Sequence, residues 1–452
     1  MNDQPKDTFD YNRRDFLKSG SLATMMAMLG GVELIAQTNA PADAKASAFK
    51  VKVGVIGLGP WGREILNTLA RKPEAEIAAV CDKYPAYLRR ANSIAPGAAQ
   101  MDDYQKLLAD KEIKAVVVAT PTHQHREIVE AALKAGKHVY CEAPLAHTME
   151  DARAIAAAAK AAGHLIFQPG LQMRSDPQRH FLLPFIRSGA IGQWVMARAQ
   201  WHKKHSWRAT SPNPDREKEI NWRLSKETSL GLTGEMGIHP IDQVTWFLGT
   251  RPTAVSGFGS VVFWKDGRDV PDTVQAVLEF PAGVNMMYHA TLANSFDSEY
   301  EMFYGSDAAV MMRESKAWMF KEVDSPLLGW EVYARKESFY KETGIMLMAN
   351  ASKSSPTDAP AEEVPFTKTP LSHALGSFLR NAYDLSVAAA DFIETMGADD
   401  AEALQEHLSK VRLQPAAGLA DGFISTVIAI KTNEAVMTRQ RVEIKPDLYE
   451  LA

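Results

Sequence analysis

From Val51 the chain alternates short apolar runs with amphipathic stretches. VKVGVIG (51–57), AEIAAVCD (75–82), KAVVVAT (114–120), HVYCEAP (138–144) and HLIFQPG (164–170) are apolar runs of strand length. Between them REILNTLARKP, REIVEAALKAGK and the Ala-rich TMEDARAIAAAAKAAG carry helical patterns. Strands and helices alternating at these lengths predict an α/β fold with a doubly wound parallel sheet. A different pattern follows. QWVMARAQW (193–201), TAVSGFGSVVFW (253–264), DTVQAVLEF (272–280) and GVNMMYHATLA (283–293) read as strands joined by short turns such as PAG. Short connections imply antiparallel neighbours, so a second, open, mostly antiparallel sheet is expected, with one face left free. LSHALGSFLRNAYDLSVAAADFIETMG and LADGFISTVIAIKTNEAVMTRQ read as helices, and 349–365 as a mobile surface loop. The chain divides into 1–46, an N-terminal leader and linker, 47–170, the parallel-sheet domain, and 171–452, an α/β domain with a helical C-terminal segment.

The turn after the first strand reads Gly57-Leu58-Gly59-Pro60-Trp61-Gly62, a G-x-G-x-x-G between strand and helix. Gly57 permits the tight turn, Gly59 lets the backbone approach a pyrophosphate, and Gly62 lets the helix pack on the sheet. The helix N-terminus then offers unpaired N–H groups to phosphate. The second strand ends in Asp82, 20 residues after Gly62, where a carboxylate takes ribose hydroxyls. Asp82 favours NAD because it repels a 2′-phosphate; Lys83, Arg89 and Arg90 nearby leave NADP open. In the strand order 3-2-1-4-5-6, Cys81 and Cys141 end strands three positions apart, roughly 14 Å at about 4.8 Å per strand. A disulfide needs Cα atoms within about 7 Å, so both thiols are expected free and buried.

Composition narrows the picture. The 452-residue chain is 46% hydrophobic and 23% charged with net charge −5, as for a soluble enzyme, and has no basic run suited to nucleic acid. The N-terminus carries Asn12-Arg13-Arg14-Asp15-Phe16-Leu17-Lys18, then the weakly apolar SLATMMAMLGGVELIA and small residues at 38–48. That is a twin-arginine signal pattern, too short and interrupted for an ordinary membrane span. It implies handling by the twin-arginine translocation machinery and a periplasmic location; cleavage at 38–48 and retention as a membrane anchor both stay open.

GLGPWG, ATPTHQH, AGKHVYCEAP and GEMGIH together resemble the glucose–fructose oxidoreductase / inositol dehydrogenase (Gfo/Idh/MocA) family, from about Val51 to Gly249 and more loosely to about 312. The resemblance implies a Rossmann domain followed by an open-sheet α/β domain over the nicotinamide, action on sugars and cyclitols, and a homo-oligomer, dimer or tetramer. It carries cofactor contacts to Gly57, Gly59, Trp61, Gly62, Asp82, Thr120, Pro121, His125, Glu142 and Pro144. The family's Glu-Lys-Pro reads Glu142-Ala143-Pro144 here, so its catalytic lysine is missing. Its Asp and His four residues apart fall on Glu235 and His239. Gln172 and Arg174 match the loop after the last Rossmann strand, with Arg174 a substrate candidate. No metal ligand set is assigned.

The loop from WHKKHSWRATSPNP to NWRL mixes aromatic and charged groups as sugar sites do, which makes His202, His205 and Trp222 further substrate candidates. A helix is expected to start near Pro240, with His239 at its entrance and Glu235 in the approach turn. Hydride transfer from a carbinol needs a group to accept the O–H proton. With Ala143 inert, His239 backed by Glu235 is the first candidate, and Lys203, Lys204, His202 or His205 could reach in instead. An exported enzyme meets no nicotinamide pool, so a tightly held cofactor regenerated in each cycle is expected. Three readings follow: a carbohydrate or cyclitol oxidoreductase, first; a redox-neutral glycosidase or lyase, as in NAD-dependent α-N-acetylgalactosaminidases that resemble the family; and a non-catalytic nucleotide- or sugar-binding protein.

Overall fold

The computed structural model describes residues 49–451 apart from 315, 329–330, 332–335, 340–341, 347–367 and 398–399. The twin-arginine segment and the 349–365 loop lie outside the described residues. The chain forms two compact units. One holds the described residues to Pro177 with Ala199–Glu299 and Lys368 onward; the other holds Gln178–Arg198 and the described residues from Tyr300 to before the gap at 347.

In the larger unit, β1 (Val51–Ile56), β2 (Ala75–Cys81), β3 (Ala99–Met101), β4 (Ala115–Val118), β5 (His138–Cys141) and β6 (Phe167–Pro169) alternate with α1 (Pro60–Ala70), α2 (Pro85–Asn92), α3 (Tyr104–Ala109), α4 (His125–Lys134) and α5 (Met149–Ala161). The sheet order is β3-β2-β1-β4-β5-β6 with every described pairing parallel. β4 and β5 are wholly buried, as a sheet covered on both faces requires. Cys81 and Cys141 are free and buried, three strands apart. Local chemistry sets the helix starts: Pro60 opens α1 with its φ already helical, and Thr148 caps α5 by accepting from the Asp151 N–H at 3.1 Å.

The same unit contains the end of β7 (Trp194–His202), α6 (Pro214–Ile220), α7 (Ile238–Leu248), β8 (Ala254–Ser260), β9 (Thr273–Glu279), β10 (Asn285–Thr291), α8 (Pro370–Met396) and α9 (Leu419–Thr438). β8, β9 and β10 pair antiparallel, as their short turns predict. One face of this ladder meets α9, and the other leaves Phe258 63%, Met287 48% and Val277 37% exposed. Val277 stands opposite Met287 in the register, so these side chains form a stripe rather than a scatter. α8 lies on the Rossmann sheet, where Leu375, Phe378 and Leu379 join Val53, Ile65 and Val117 in one apolar core. His138 fixes this docking by pairing with the Ser386 hydroxyl at 2.9 Å, and Gln168 donates to the Ala374 carbonyl at 2.9 Å. The smaller unit pairs Glu299–Gly305, Ala308–Arg313, Lys316–Lys321, Glu342–Met346 and Lys336–Phe339 in antiparallel succession. The fold class is therefore the one the pattern predicts: a parallel doubly wound sheet plus an α/β part with mostly antiparallel strands.

Candidate functional site

The glycine turn has the geometry its spacing implies. Gly57 adopts φ 93° and donates to the Cys81 carbonyl at 2.9 Å. A Cβ on Gly57 would lie 2.7 Å from the Ala119 and Thr120 backbone, and one on Gly62 1.9 Å from the Gly57 carbonyl. A Cβ on Gly59 would meet nothing within 4 Å. Gly57 and Gly62 are thus required by the fold, while Gly59 keeps open the space above the first turn of α1. Gly62→Ala is expected to unfold the turn. Gly59→Ala is expected to give a normally folded protein whose affinity for added dinucleotide drops about tenfold or more. Circular dichroism with dinucleotide titration separates the two cases; equal loss of fold in both variants would contradict this assignment.

Asp82 accepts from the Leu58 N–H and the Tyr84 N–H, each at 2.8 Å. Burial raises its carboxyl above the ordinary range, against the pull of these two donors. At the ends of β4 and β5 two polar atoms are buried without a hydrogen-bond partner, Thr120 Oγ1 and Glu142 Oε1. Glu142 is only 7% exposed, and burial pushes its carboxyl up to about 7. The Trp61 indole, the Ala143 N–H, the Tyr140 hydroxyl and the Arg223 charge act in the opposite direction. Its other oxygen, Oε2, is backed by Gly170, where a Cβ would approach to 2.8 Å. Trp61 is 39% exposed beside it. An unobstructed glycine at the helix N-terminus and two orphaned oxygens at the strand ends suit a ligand that brings hydroxyl and phosphate groups, as a dinucleotide does.

Ala143 packs its methyl on a small apolar cluster of Leu171, Leu230, Ile238, Ala417 and Ala429. Pro144, buried and joined to Ala143 by a cis peptide, offers its carbonyl to His125. His125 is 1% exposed; Nδ1 lies 3.1 Å from that carbonyl, and Nε2 lies 3.0 Å from the Thr120 carbonyl. Burial lowers this ring to about 4. The expected direct cofactor contact at His125 is therefore corrected: the ring ties the Thr120-Pro121 turn to the Glu142-Ala143-Pro144 turn.

The expected Glu235–His239 pair is also corrected. Helix α7 starts at Ile238, two residues before Pro240, and Glu235 lies in the π-turn Leu232–Met236 just ahead. Glu235 accepts from the Thr122 hydroxyl at 3.2 Å and from the Ser229 hydroxyl at 3.2 Å, with Arg223 Nε at 3.9 Å. Burial raises its carboxyl, and Arg223 is the largest opposing influence. Burial lowers the His239 ring below its ordinary value, and the carboxylate that opposes this is Asp242, one turn further along α7. The His239 ring makes no side-chain hydrogen bond among the described residues and is partly accessible.

Arg174, a substrate candidate, is committed elsewhere. It donates to Asp242 at 3.0 and 2.8 Å and to Asp421 at 2.8 Å, and lies 4.9 Å from the Trp246 ring centre. The fork geometry of guanidinium on carboxylate makes this a support for Asp242 rather than a free hand. His202 is likewise spent: Nδ1 donates to the Phe296 carbonyl at 3.0 Å, so Nε2 accepts from His289 Nδ1 at 2.9 Å. His205 accepts from the Trp207 N–H at 3.0 Å and is exposed. Lys203 is exposed, with its backbone N–H on the Thr291 carbonyl at 3.0 Å and no ammonium contact to Glu235 or His239 among the described residues. Trp222 does reach the site: its ring lies 6.2 Å from His123 in the cofactor-side turn, and Arg223 sits 4.4 Å over it.

Arg223 is the residue that sequence spacing misses. Its guanidinium carries charge toward both Glu235 and Glu142. It makes no hydrogen bond among the described residues, so its N–H groups are available. The only signal for it was the Trp-Arg pair inside an aromatic loop.

Two family models match, "Oxidoreductase family, NAD-binding Rossmann fold" over residues 51–170 and "GFO/IDH/MocA C-terminal domain" over 184–310. The inositol 2-dehydrogenase of Salmonella typhimurium is 31% identical over 242 residues, which span 52% of this chain and 66% of the relative. Among solved structures, an oxidoreductase domain protein from Kribbella flavida superposes with TM-score 0.64 at 21% identity, covering 88% of this chain and all of that one. A levoglucosan dehydrogenase in complex with NADH and levoglucosan gives TM-score 0.63 at 20% identity, covering 87% and 99%. These two likenesses speak for the fold. The family models, joined to the glycine turn and the Glu142 strand end, make the conclusion plain: the chain belongs to the Gfo/Idh/MocA oxidoreductase family, whose N-terminal domain is an NAD-binding Rossmann fold.

Proposed function

We propose that this protein is an NAD-dependent oxidoreductase acting on a hydroxyl of a neutral sugar or cyclitol. The carrying observation is the buried, unpartnered Glu142 oxygen at the carboxyl end of β5, in a domain whose glycine turn leaves Gly59 unobstructed. A bare carboxyl oxygen there suits a hydrogen-bonding hydroxyl from a ligand. The relatives' names support the class: inositol 2-dehydrogenase acts on a cyclitol, and levoglucosan dehydrogenase is a sugar enzyme seen with NADH.

When bound, the nicotinamide supplies the hydride acceptor. The chain's residues do the rest. Gly57, Gly59 and the N-terminus of α1 receive the pyrophosphate, and Asp82 takes ribose hydroxyls. Glu142 and Thr120 accept and donate at the bare atoms named above. Arg223, always charged, steadies the substrate oxygen as negative charge develops on it. His239, neutral at pH 7, accepts the hydroxyl proton at a ring nitrogen, and the Asp242 charge stabilises the imidazolium so formed. Arg174 and Ser425 hold Asp242 in place for that role. With Arg223 balanced by Glu235 and no further free cation in this group, a neutral polyol fits better than an acidic sugar. Export by the twin-arginine route, retention of the nucleotide through the catalytic cycle, and pairing of copies through the exposed β8–β10 face belong to the same reading.

The test is direct. The full chain is purified after export, denatured, and the released nucleotide identified by mass spectrometry; intact protein is then given a panel of polyols while near-ultraviolet nicotinamide absorbance is followed. Reduction of NAD with a ketone product is expected. Release of a leaving group with no net absorbance change would replace this reading with a redox-neutral one. Failure to bind any dinucleotide would remove it.

A further inference from the structure

The adenosine end of the site is reached by a segment that the glycine motif does not predict. Helix α6, from the loop after β7, sits against the turn that follows β2. Lys83, next to Asp82, pairs with Glu219 at 2.6 Å, and the Tyr84 hydroxyl donates to the same carboxylate oxygen. Arg216 lies 4.6 Å from the Tyr84 ring centre and 5.8 Å from that of Tyr87, and its charge acts on Asp82. Its Nε is buried without a partner.

These groups have a consequence for the cofactor. On sequence, Lys83 is the cation best placed to attract a 2′-phosphate. Here its charge is taken by Glu219. The corner holds two carboxylates, Asp82 and Glu219, with Lys83 and Arg216, while a third cation, Arg63, is turned onto the Leu58 carbonyl at 3.1 Å and lies 5.6 Å from the Tyr87 ring centre. Ribose hydroxyls suit such a corner, whereas a doubly charged phosphate finds both carboxylates nearby and its lysine already engaged. The same contacts hold α6 across the edge of the ribose position.

We propose that Glu219 is a specificity-determining residue: by engaging Lys83 and Tyr84 it excludes NADP and fastens α6 over the adenosine end, slowing release of NAD. This rests on the reading of the unit as a dinucleotide site. The contact between residues 84 and 219 joins positions 135 apart, which is why no motif contains it.

The experiment uses the full chain stripped of nucleotide, with NAD and NADP titrated separately by quenching of tryptophan fluorescence and release followed by stopped flow. Glu219 is half exposed, so Glu219→Gln should fold as the parent does. Wild type is expected to favour NAD by about 100-fold. Glu219→Gln is expected to bind NADP about tenfold more tightly and to release NAD about tenfold faster. Adding Lys83→Met to that variant should cancel the NADP gain, because the freed ammonium is its source. A Glu219→Gln protein with both constants within twofold of wild type overturns the proposal, as does a wild type that prefers NADP; either result leaves the oxidoreductase reading standing. A wild type that binds neither nucleotide overturns both.

Discussion

His239→Ala is expected to lower kcat for polyol oxidation by about 10³-fold while leaving dinucleotide affinity within about twofold. The reason is the state of the ring. Burial lowers its pKa below 6.5, so at neutral pH it is an unprotonated base, and no described side chain occupies its nitrogens. The charge that acts on it is the Asp242 carboxylate, which favours the protonated ring that the reaction produces. The pH dependence carries a sign. As a base, His239 must be free of its proton, so kcat/KM should fall as pH drops through a value below 6.5, and His239→Ala should lose that limb. Added imidazole should restore part of the rate if the cavity admits it. If His239→Ala kept full turnover while Lys203→Ala abolished it, the proton would have to go to the loop after β7, despite the exposed position of Lys203 in this structure.

What could be read from the sequence follows the range of the interactions. The strand order, the free cysteines and the steric need for glycine at 57 and 62 follow from successive βα units and the turn between β1 and α1, and periodicity and spacing report those well. The site's polar pairings do not work that way. Glu235 and His239 are four residues apart, and proximity suggested a pair, yet Glu235 is held by Thr122, 113 residues away, with Ser229 and Arg223. Arg174, a substrate candidate by its match to the loop after the last Rossmann strand, is bound to Asp242 and Asp421. His202 looked like a sugar ligand and is paired with His289 across the ladder. In each case residue type was right for a site, but a buried charge or ring nitrogen must find a partner, and the partner lies far along the chain. The sequence also has no way to show that Arg223 brings positive charge toward Glu142 and Glu235.

Glu142→Gln is expected to separate stability from function. The folded-state carboxyl titrates at about 7 against an ordinary 4.5, because burial penalises its charge. Between pH 4.5 and 7 the folded protein keeps a proton that the unfolded chain has released. Stability of the nucleotide-free protein therefore falls as pH rises through that window and is flat above it. The shift corresponds to about 3 kcal/mol at roughly 1.4 kcal/mol per unit. Glutamine carries no charge to penalise, so Glu142→Gln should lose this slope and melt at a higher temperature than wild type at pH 8, with little difference at pH 4.5. Turnover should nonetheless fall by about 10²-fold or more, since a carboxylate oxygen that now waits unpartnered for a ligand donor is replaced by an amide. Thermal melts across pH, paired with steady-state rates, check both halves. A variant less stable than wild type at every pH would make Glu142 a structural group. A wild-type acid limb at about 7 that disappears in Glu142→Gln and persists in His239→Ala would move the proton from the histidine to this carboxylate, which stands one residue from Ala143.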